Sequence, residues 1–306
     1  MAPVKSCEYI ITNSPQNCRF WGLRPFDFTL VPMPRTSILL ALSLTLILTA
    51  CSDSEHQEQM PTLTSETDSL AYAAAEVLGG WHAWRDVPYL RFTFASGRDG
   101  NRTPIARHAW DRTSGAYRVD WTRGEDSTFV AIFNAHTHDA APDRGRAFAN
   151  GVELEGAAAR DIVAKGYRRY INDTYWFLAP VKLLDEGVTR ELSAEDGTQG
   201  QRVLEITFGD VGLTPGDRYW ITLDAPTARI EQWAYRLQSM DAQAEPIVWR
   251  WVDFKTQQSP VGELTYVTRR VRVSDGAEIM TDEVNLEPIP SNVFEDPTTA
   301  IQEEDR

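Results

Sequence analysis

The chain has 306 residues and a formal net charge of −14 at pH 7. Residues 1–51 carry a net +2, so the chain that follows them carries −14 − 2 = −16. A surplus of negative charge this large repels phosphate backbones, and we therefore expect no nucleic acid among the partners.

An apolar run near the N-terminus ends in a single cysteine. Residues 38–50 are too few to cross a bilayer, which needs about 20 residues, but they fit the apolar core of a secretory signal behind Arg35. The sequence "LTAC" at residues 48–51 resembles a bacterial lipobox, in which the cysteine becomes the lipidated N-terminus. We predict a signal peptide over residues 33–50 and an acyl-modified, palmitate-type anchor on Cys51.

Cysteine use fits a lipid-anchored envelope protein. Cys7 and Cys18 lie in the leader and lipidation consumes Cys51, so the mature chain has no thiol for disulfides, metal binding or catalysis. Ser52 stands where an Asp typically retains lipoproteins in the inner membrane. We therefore expect an outer-membrane lipoprotein whose domain faces the periplasm, with the membrane as a partner through the lipid anchor.

The remaining boundaries follow from composition. Residues 1–32 lack periodicity and precede Met33, which begins a compact signal, so we expect them to be an extension from a misassigned start codon. Residues 51–64 are polar and predict a flexible tether. We predict one domain over residues 65–290 and a polar C-terminal tail over residues 291–306.

Periodicity predicts an α+β domain. Residues 64–80 have a capping residue, early acids and a Gly-Gly pair at the end, which is typical of a helix. Apolar patterning predicts eleven strands, at residues 89–95, 105–111, 116–122, 128–134, 188–192, 202–208, 218–223, 229–237, 247–255, 263–273 and 279–286. Residues 156–184 interrupt the strands and predict helices with breaks at Gly166 and Pro180. This order favours a strongly curved antiparallel sheet, an incomplete barrel, with helices covering its concave side.

The sequence contains no complete catalytic motif. His136, His138 and Asp139 resemble part of the His-x-His-x-Asp-His motif of metallo-β-lactamase-type hydrolases, but the later ligands are missing. A nucleophile elbow, a phosphate-binding loop and a dinucleotide fingerprint are also missing. We expect a polar surface loop at these histidines, no metal, no cofactor and no enzyme activity.

Aromatic residues are concentrated in the domain, which holds nine of the ten tryptophans. Two interpretations stay open: the rings fill a solid core, or they line an apolar cavity for an acyl chain or another hydrophobic ligand. The second interpretation selects rings that share strand faces and the apolar stretch at residues 175–178. The predicted cavity-lining residues are Phe92, Phe94, Trp121, Tyr175, Trp176, Phe177, Leu178, Trp249 and Trp251.

Four stretches carry a family resemblance: "LGGWHAW", "INDTYWFLAPVKLLDEGV", "RYWITLDAPTARIEQWAY" and "WRWVDF". They resemble bacterial envelope proteins with the LolA/LolB-like lipoprotein-sorting fold, over residues 70–288. The resemblance implies an incomplete barrel covered by helices, with a cavity that binds lipid or lipoprotein acyl chains without enzyme activity. The polar loop "HTHDAAPDRGR" departs from the apolar loop tip of lipoprotein receptors, which puts that role in doubt.

We therefore expect a monomeric outer-membrane lipoprotein that binds a hydrophobic ligand, with a role in lipid or lipoprotein trafficking. The alternative is an envelope interaction or sensor lipoprotein that binds no ligand and has a solid aromatic core.

Overall fold

A computed structural model describes residues 61–124, 127–137, 144–193, 198, 200–209 and 214–302. The predicted extension, signal peptide, lipidated Cys51 and most of the tether lie outside the described residues. No helix within the described ranges is both long and apolar enough to cross a bilayer.

Three α-helices and thirteen strands make up the described part of the chain. The helices are α1 (Glu66–Glu76), α2 (Trp81–Asp86) and α3 (Gly156–Lys182). The strands are β1 (Tyr89–Arg98), β2 (Asn101–Asp111), β3 (Ala116–Arg123), β4 (Ser127–Asn134), β5 (Arg146–Ala149), β6 (Val152–Glu153), β7 (Val188–Leu192), β8 (Gln201–Phe208), β9 (Arg218–Asp224), β10 (Ile230–Arg236), β11 (Ile247–Ser259), β12 (Gly262–Arg272) and β13 (Glu278–Asn285).

All thirteen strands belong to one sheet, in the order β6-β5-β4-β3-β2-β1-β13-β12-β11-β10-β9-β8-β7. Consecutive strands pair antiparallel in two meanders, which are joined where β1 pairs with β13. The sheet is open because β6 and β7 form its two edges, and α3 carries the chain from one edge to the other. The predicted antiparallel incomplete barrel is confirmed.

Helix α3 lies along the concave face of this sheet. Its first half packs on β2–β5 through Ile162 and Val163. Its second half packs on β8–β12 through Ala179, and Leu183, directly after its last residue, joins the same buried group. One helix reaches both halves because the sheet curves around it, so the prediction that helices cover the concave side is confirmed.

A gap between β12 and β13 is closed by the turn that follows α1. The two strands pair over only three residues each. Beside this short ladder, the amide of Thr265 donates instead to the carbonyl of Leu78. Gly79 has φ +100°, and a Cβ there would collide with the carbonyl oxygen of Glu263. The glycine pair predicted to end α1 is therefore also needed for this close approach.

The helix breaks predicted at Gly166 and Pro180 are wrong, because both residues lie within α3. Gly166 faces β4, where the methyl group of Ala131 leaves no room for a Cβ. Pro180 is in the last turns of the helix, and the carbonyl that it leaves without a donor is satisfied by a strand side chain. Three short elements were not predicted: helix α2 has six residues, β5 has four and β6 has two. Elements of this length are too short to show a hydrophobic periodicity.

The C-terminal segment packs on the opposite face of the sheet instead of forming a tail from residue 291. A 3₁₀ helix spans Ser291–Phe294, and Val293 and Ile301 are 2% exposed. Arg118 of β3, itself 1% exposed, donates to three carbonyls of this segment at 2.8–3.0 Å. The packed domain therefore continues to at least residue 301.

Candidate functional site

The second half of α3 meets the sheet through eight aromatic rings, which we call the aromatic cluster. Neighbouring rings have centroids 5.4–6.3 Å apart, and most pairs meet edge to face. The members are Tyr175, Trp176, Phe208, Tyr219, Trp233, Tyr235, Trp249 and Trp251. Four of the predicted lining residues, two on α3 and two on β11, are therefore in one contact network.

The other predicted residues on α3 pack next to this cluster. The ring centroids of Phe177 and Phe92 are 5.0 Å apart. Leu178 and Phe94 belong to the same buried group of side chains, which also includes Trp249. The helical stretch at residues 175–178 therefore faces β1 and β11, where the sequence analysis placed its partners.

Trp121 is not part of this arrangement. It lies on β3 under the first half of α3 and stacks on Phe129, with ring centroids 5.7 Å apart. The guanidinium of Arg169 lies 5.3 Å from its ring centroid. The alternation of β3 placed Trp121 on the correct face, but it did not show which half of α3 covers it.

Three polar atoms of the aromatic cluster are buried without a hydrogen-bond partner among the described residues. They are the hydroxyl of Tyr175 and the indole Nε1 atoms of Trp249 and Trp251. Burial raises the pKa of Tyr175 well above its usual value, so the hydroxyl stays protonated and remains a donor. A buried donor without an acceptor costs about 1–3 kcal/mol, and native cores contain few of them. Three donors of this interface are therefore left unsatisfied.

Arg270 of β12 connects the sheet to α3 beside the aromatic cluster. Its Nη2 donates to the carbonyl of Trp176 and its Nη1 to Thr281 Oγ1 of β13, both at 2.8 Å. The guanidinium lies 4.9 Å from the ring centroid of Trp251. Pro180, four residues after Trp176, has no N–H to give that carbonyl its helical hydrogen bond. Arg270 supplies the missing donor.

The charge of Arg270 is held without a carboxylate. The side chain is 0% exposed, and none of the described acids forms an ion pair with it. Desolvation lowers the pKa of Arg270 to about 9, which still leaves the guanidinium protonated at neutral pH. A carbonyl dipole, a hydroxyl and an indole face therefore stabilise the buried cation.

A second buried polar contact holds the middle of α3 to β2. His108 Nε2 lies 3.1 Å from Asp173 Oδ2, and His108 Nδ1 lies 2.7 Å from the hydroxyl of Tyr117. The imidazole is stacked on the ring of Phe92, with ring centroids 4.4 Å apart. A neutral imidazole satisfies both contacts when Nε2–H donates to the carboxylate and Nδ1 accepts from the phenol. All three polar side chains are at most 1% exposed, so this group positions the helix.

Sequence reasoning missed these two polar contacts because they join distant residues. His108 and Asp173 are 65 positions apart, and Arg270 and Trp176 are 94 apart. One signal was present. An internal Pro180 leaves the carbonyl four residues earlier without a donor, which predicts a side-chain donor near Trp176.

The described residues of the predicted histidine loop do not form a set of metal ligands. His136 is exposed at the end of β4, whereas His138 and Asp139 lie outside the described residues. Among the residues that are described, no group of three or more His, Cys, Asp or Glu side chains is placed to hold a metal ion.

Comparison with known proteins gives loose structural likenesses. No protein-family model matches the chain, and no curated protein matches it. A LolA superfamily protein from Nitrosomonas europaea is similar with 12% identity and a TM-score of 0.40, over 74% of this chain and 96% of that one. A DUF1329 family protein from Desulfovibrio piger is similar with 12% identity and a TM-score of 0.41, over 78% of this chain and 100% of that one. These likenesses concern overall fold, and none transfers a residue's role to this chain.

We expect the His108 contact to make the fold sensitive to mild acid. Desolvation outweighs the opposing attraction of Asp173 and lowers the pKa of His108 below 6.5, so the unfolded chain takes up the proton more readily. This contribution to the free energy of unfolding is complete above about pH 6.5 and declines below it, by at most about 1.4 kcal/mol per pH unit. Urea unfolding between pH 7.5 and 5 measures the decline.

His108→Gln should remove this part of the pH dependence. His136→Gln, which changes an exposed histidine, should leave it in place. A pH dependence that is the same in His108→Gln and the wild type would contradict the assignment.

Proposed function

We propose that the chain is an outer-membrane-anchored periplasmic lipoprotein that binds a hydrophobic ligand between α3 and the sheet. The ligand class is an acyl chain of a lipid or lipoprotein that carries a hydrogen-bond acceptor, and the role is in lipid or lipoprotein trafficking. The observation that carries the proposal is the set of three unpaired donors, on Tyr175, Trp249 and Trp251, within an interface built from aromatic rings.

Acyl packing offsets the ring packing that is lost when α3 separates from the sheet, whereas the loss of the polar contacts of α3 opposes the separation. Each buried methylene contributes about 0.8 kcal/mol, so an acyl chain that enters the interface keeps the ring faces covered when α3 separates from them. An acceptor on the ligand also removes the penalty of a buried unpaired donor, about 1–3 kcal/mol. The bound state therefore competes with the closed one without a large decrease in buried apolar area.

The two polar contacts of α3 define the position to which the helix returns. Hydrophobic contacts are non-directional, so rings alone would allow α3 to settle in several registers. The contacts of Asp173 with His108 and of the Trp176 carbonyl with Arg270 require one register. We further propose that the protein acts as a monomer without enzyme activity or a cofactor.

A second candidate function is an envelope interaction or sensor lipoprotein with a solid core. The observation that favours it is that pairwise ring contacts link all eight members of the aromatic cluster into one network. In that case the rings serve stability alone, and the protein has no affinity for acyl chains.

The variant Tyr175→Phe tests ligand binding, because it removes one unpaired hydroxyl and keeps the ring. We expect the affinity for a fluorescent fatty-acid probe to fall at least about fivefold, as for loss of one hydrogen bond of roughly 1 kcal/mol. The free energy of unfolding should not fall, because the hydroxyl has no hydrogen-bond partner among the described residues. Probe titration and urea unfolding measure the two effects.

Tyr266→Phe is the matched control, since the Tyr266 hydroxyl donates to Gln257 and lies outside the aromatic cluster. Its probe affinity should equal that of the wild type. A wild-type protein that does not bind the probe would contradict the proposal and leave the solid-core alternative.

Anchoring is tested at Cys51, which lies outside the described residues. We expect the wild type to incorporate labelled palmitate and to fractionate with the outer membrane. Cys51→Ser should instead leave an unprocessed precursor or a soluble product without label, whereas Cys18→Ser, ahead of the predicted signal, should behave as the wild type. A Cys51→Ser protein that migrates and fractionates like the wild type would show that the anchor does not exist.

A further inference from the structure

Strands β10 and β11 separate before they end. They pair as far as Gln232 and Arg250, although both strands extend further in that direction. Each strand carries a bulge there against its other neighbour, at Glu231 against β9 and at Val252 against β12. Bulges bend strands and redirect their side chains. The two bulges therefore open a wedge between β10 and β11.

The wedge is a cleft of about 270 Å³. This is below the roughly 300–1,000 Å³ typical of sites for drug-sized ligands, so the cleft suits a single small group. Both separated strands contribute to its walls, together with Arg229, which precedes β10. Trp251 of the aromatic cluster is also a lining residue.

Two arginines give the cleft its charge. The guanidiniums of Arg229 and Arg250 form no ion pair with any described residue, although Arg229 lies 5.8 Å from the ring centroid of Phe254. The acid among the lining residues is Glu231, whose carboxylate accepts from Gln201 at 2.6 Å. The residues that line the cleft thus carry two positive charges and one negative charge, in a chain with a net charge of −14, and both arginines are exposed.

We propose that this cleft binds an oxyanion, a phosphate or carboxylate, which arrives either free or as the headgroup of an amphiphile. Guanidinium groups bind such oxygens through paired, charge-assisted hydrogen bonds, which makes arginine the suited side chain. The proposal is independent of the acyl site described above, because inorganic phosphate needs no apolar pocket. Loss of fatty-acid binding would leave phosphate binding intact, so the two proposals fail separately.

Calorimetry of the full-length protein at low ionic strength tests the cleft, with inorganic phosphate and dodecyl phosphate as probes. The double variant Arg229→Gln/Arg250→Gln should bind both probes at least about tenfold more weakly, equivalent to about 1.4 kcal/mol. The control Arg107→Gln/Arg123→Gln removes two exposed arginines of β2 and β3 and thus matches the change in net charge. Its affinities should stay within about twofold of the wild type.

The two probes distinguish the sources of the anion. Dodecyl phosphate binding at least about tenfold tighter than phosphate supports a headgroup, and equal affinities support a free anion. A wild type that binds neither probe overturns the proposal. Equal losses of probe affinity in the cleft variant and the control also overturn it, because the change in net charge alone would then account for the loss.

Discussion

The hydrogen bond from Arg270 to the carbonyl of Trp176 is the contact on which the helix–sheet arrangement depends. Pro180 leaves that carbonyl without its helical donor, and Nη2 of Arg270 supplies one. The guanidinium has no carboxylate partner among the described residues, and its Nε has no acceptor there. The same side chain also reaches Thr281 across the three-residue ladder that joins the two halves of the sheet. One buried arginine therefore connects β12, β13 and α3.

This constraint bears on the proposed function, which requires that α3 can leave the sheet and return to one register. The aromatic cluster supplies apolar contact, which an acyl chain replaces in the proposed function. The polar contacts at Asp173 and at the Trp176 carbonyl supply direction, because each has one geometry that satisfies it. The unpaired donors on the rings, in contrast, mark where the closed state is left unsatisfied. The proposed ligand acts on the rings, and the polar contacts restore the closed register after its release.

The sequence allowed the fold to be predicted where local pattern decides it. Alternation in "AYRVDW" places Tyr117, Val119 and Trp121 on the face that α3 covers. Pattern failed where an element is short, as in α2, or where a tertiary contact overrides a local rule, as at Pro180 within α3. Half of the aromatic cluster was predicted: Trp249 and Trp251 from a shared strand face, and Tyr175 with its neighbour Trp176 from a consecutive apolar stretch. The other four rings and the polar contacts that position α3 were not predicted; the missed rings are Phe208, Tyr219, Trp233 and Tyr235. Those contacts, like the bulges that open the cleft, depend on partners far away in the chain.

A double-mutant cycle on Arg270→Met and Pro180→Ala tests the central contact most directly. Alanine at position 180 restores an N–H that can donate to the Trp176 carbonyl within the helix. We expect Arg270→Met to lower the free energy of unfolding more in the wild type than in the Pro180→Ala background, with a coupling of about 1–2 kcal/mol. Additive effects, with a coupling below about 0.5 kcal/mol, would contradict the claim that Arg270 replaces the donor missing at Pro180.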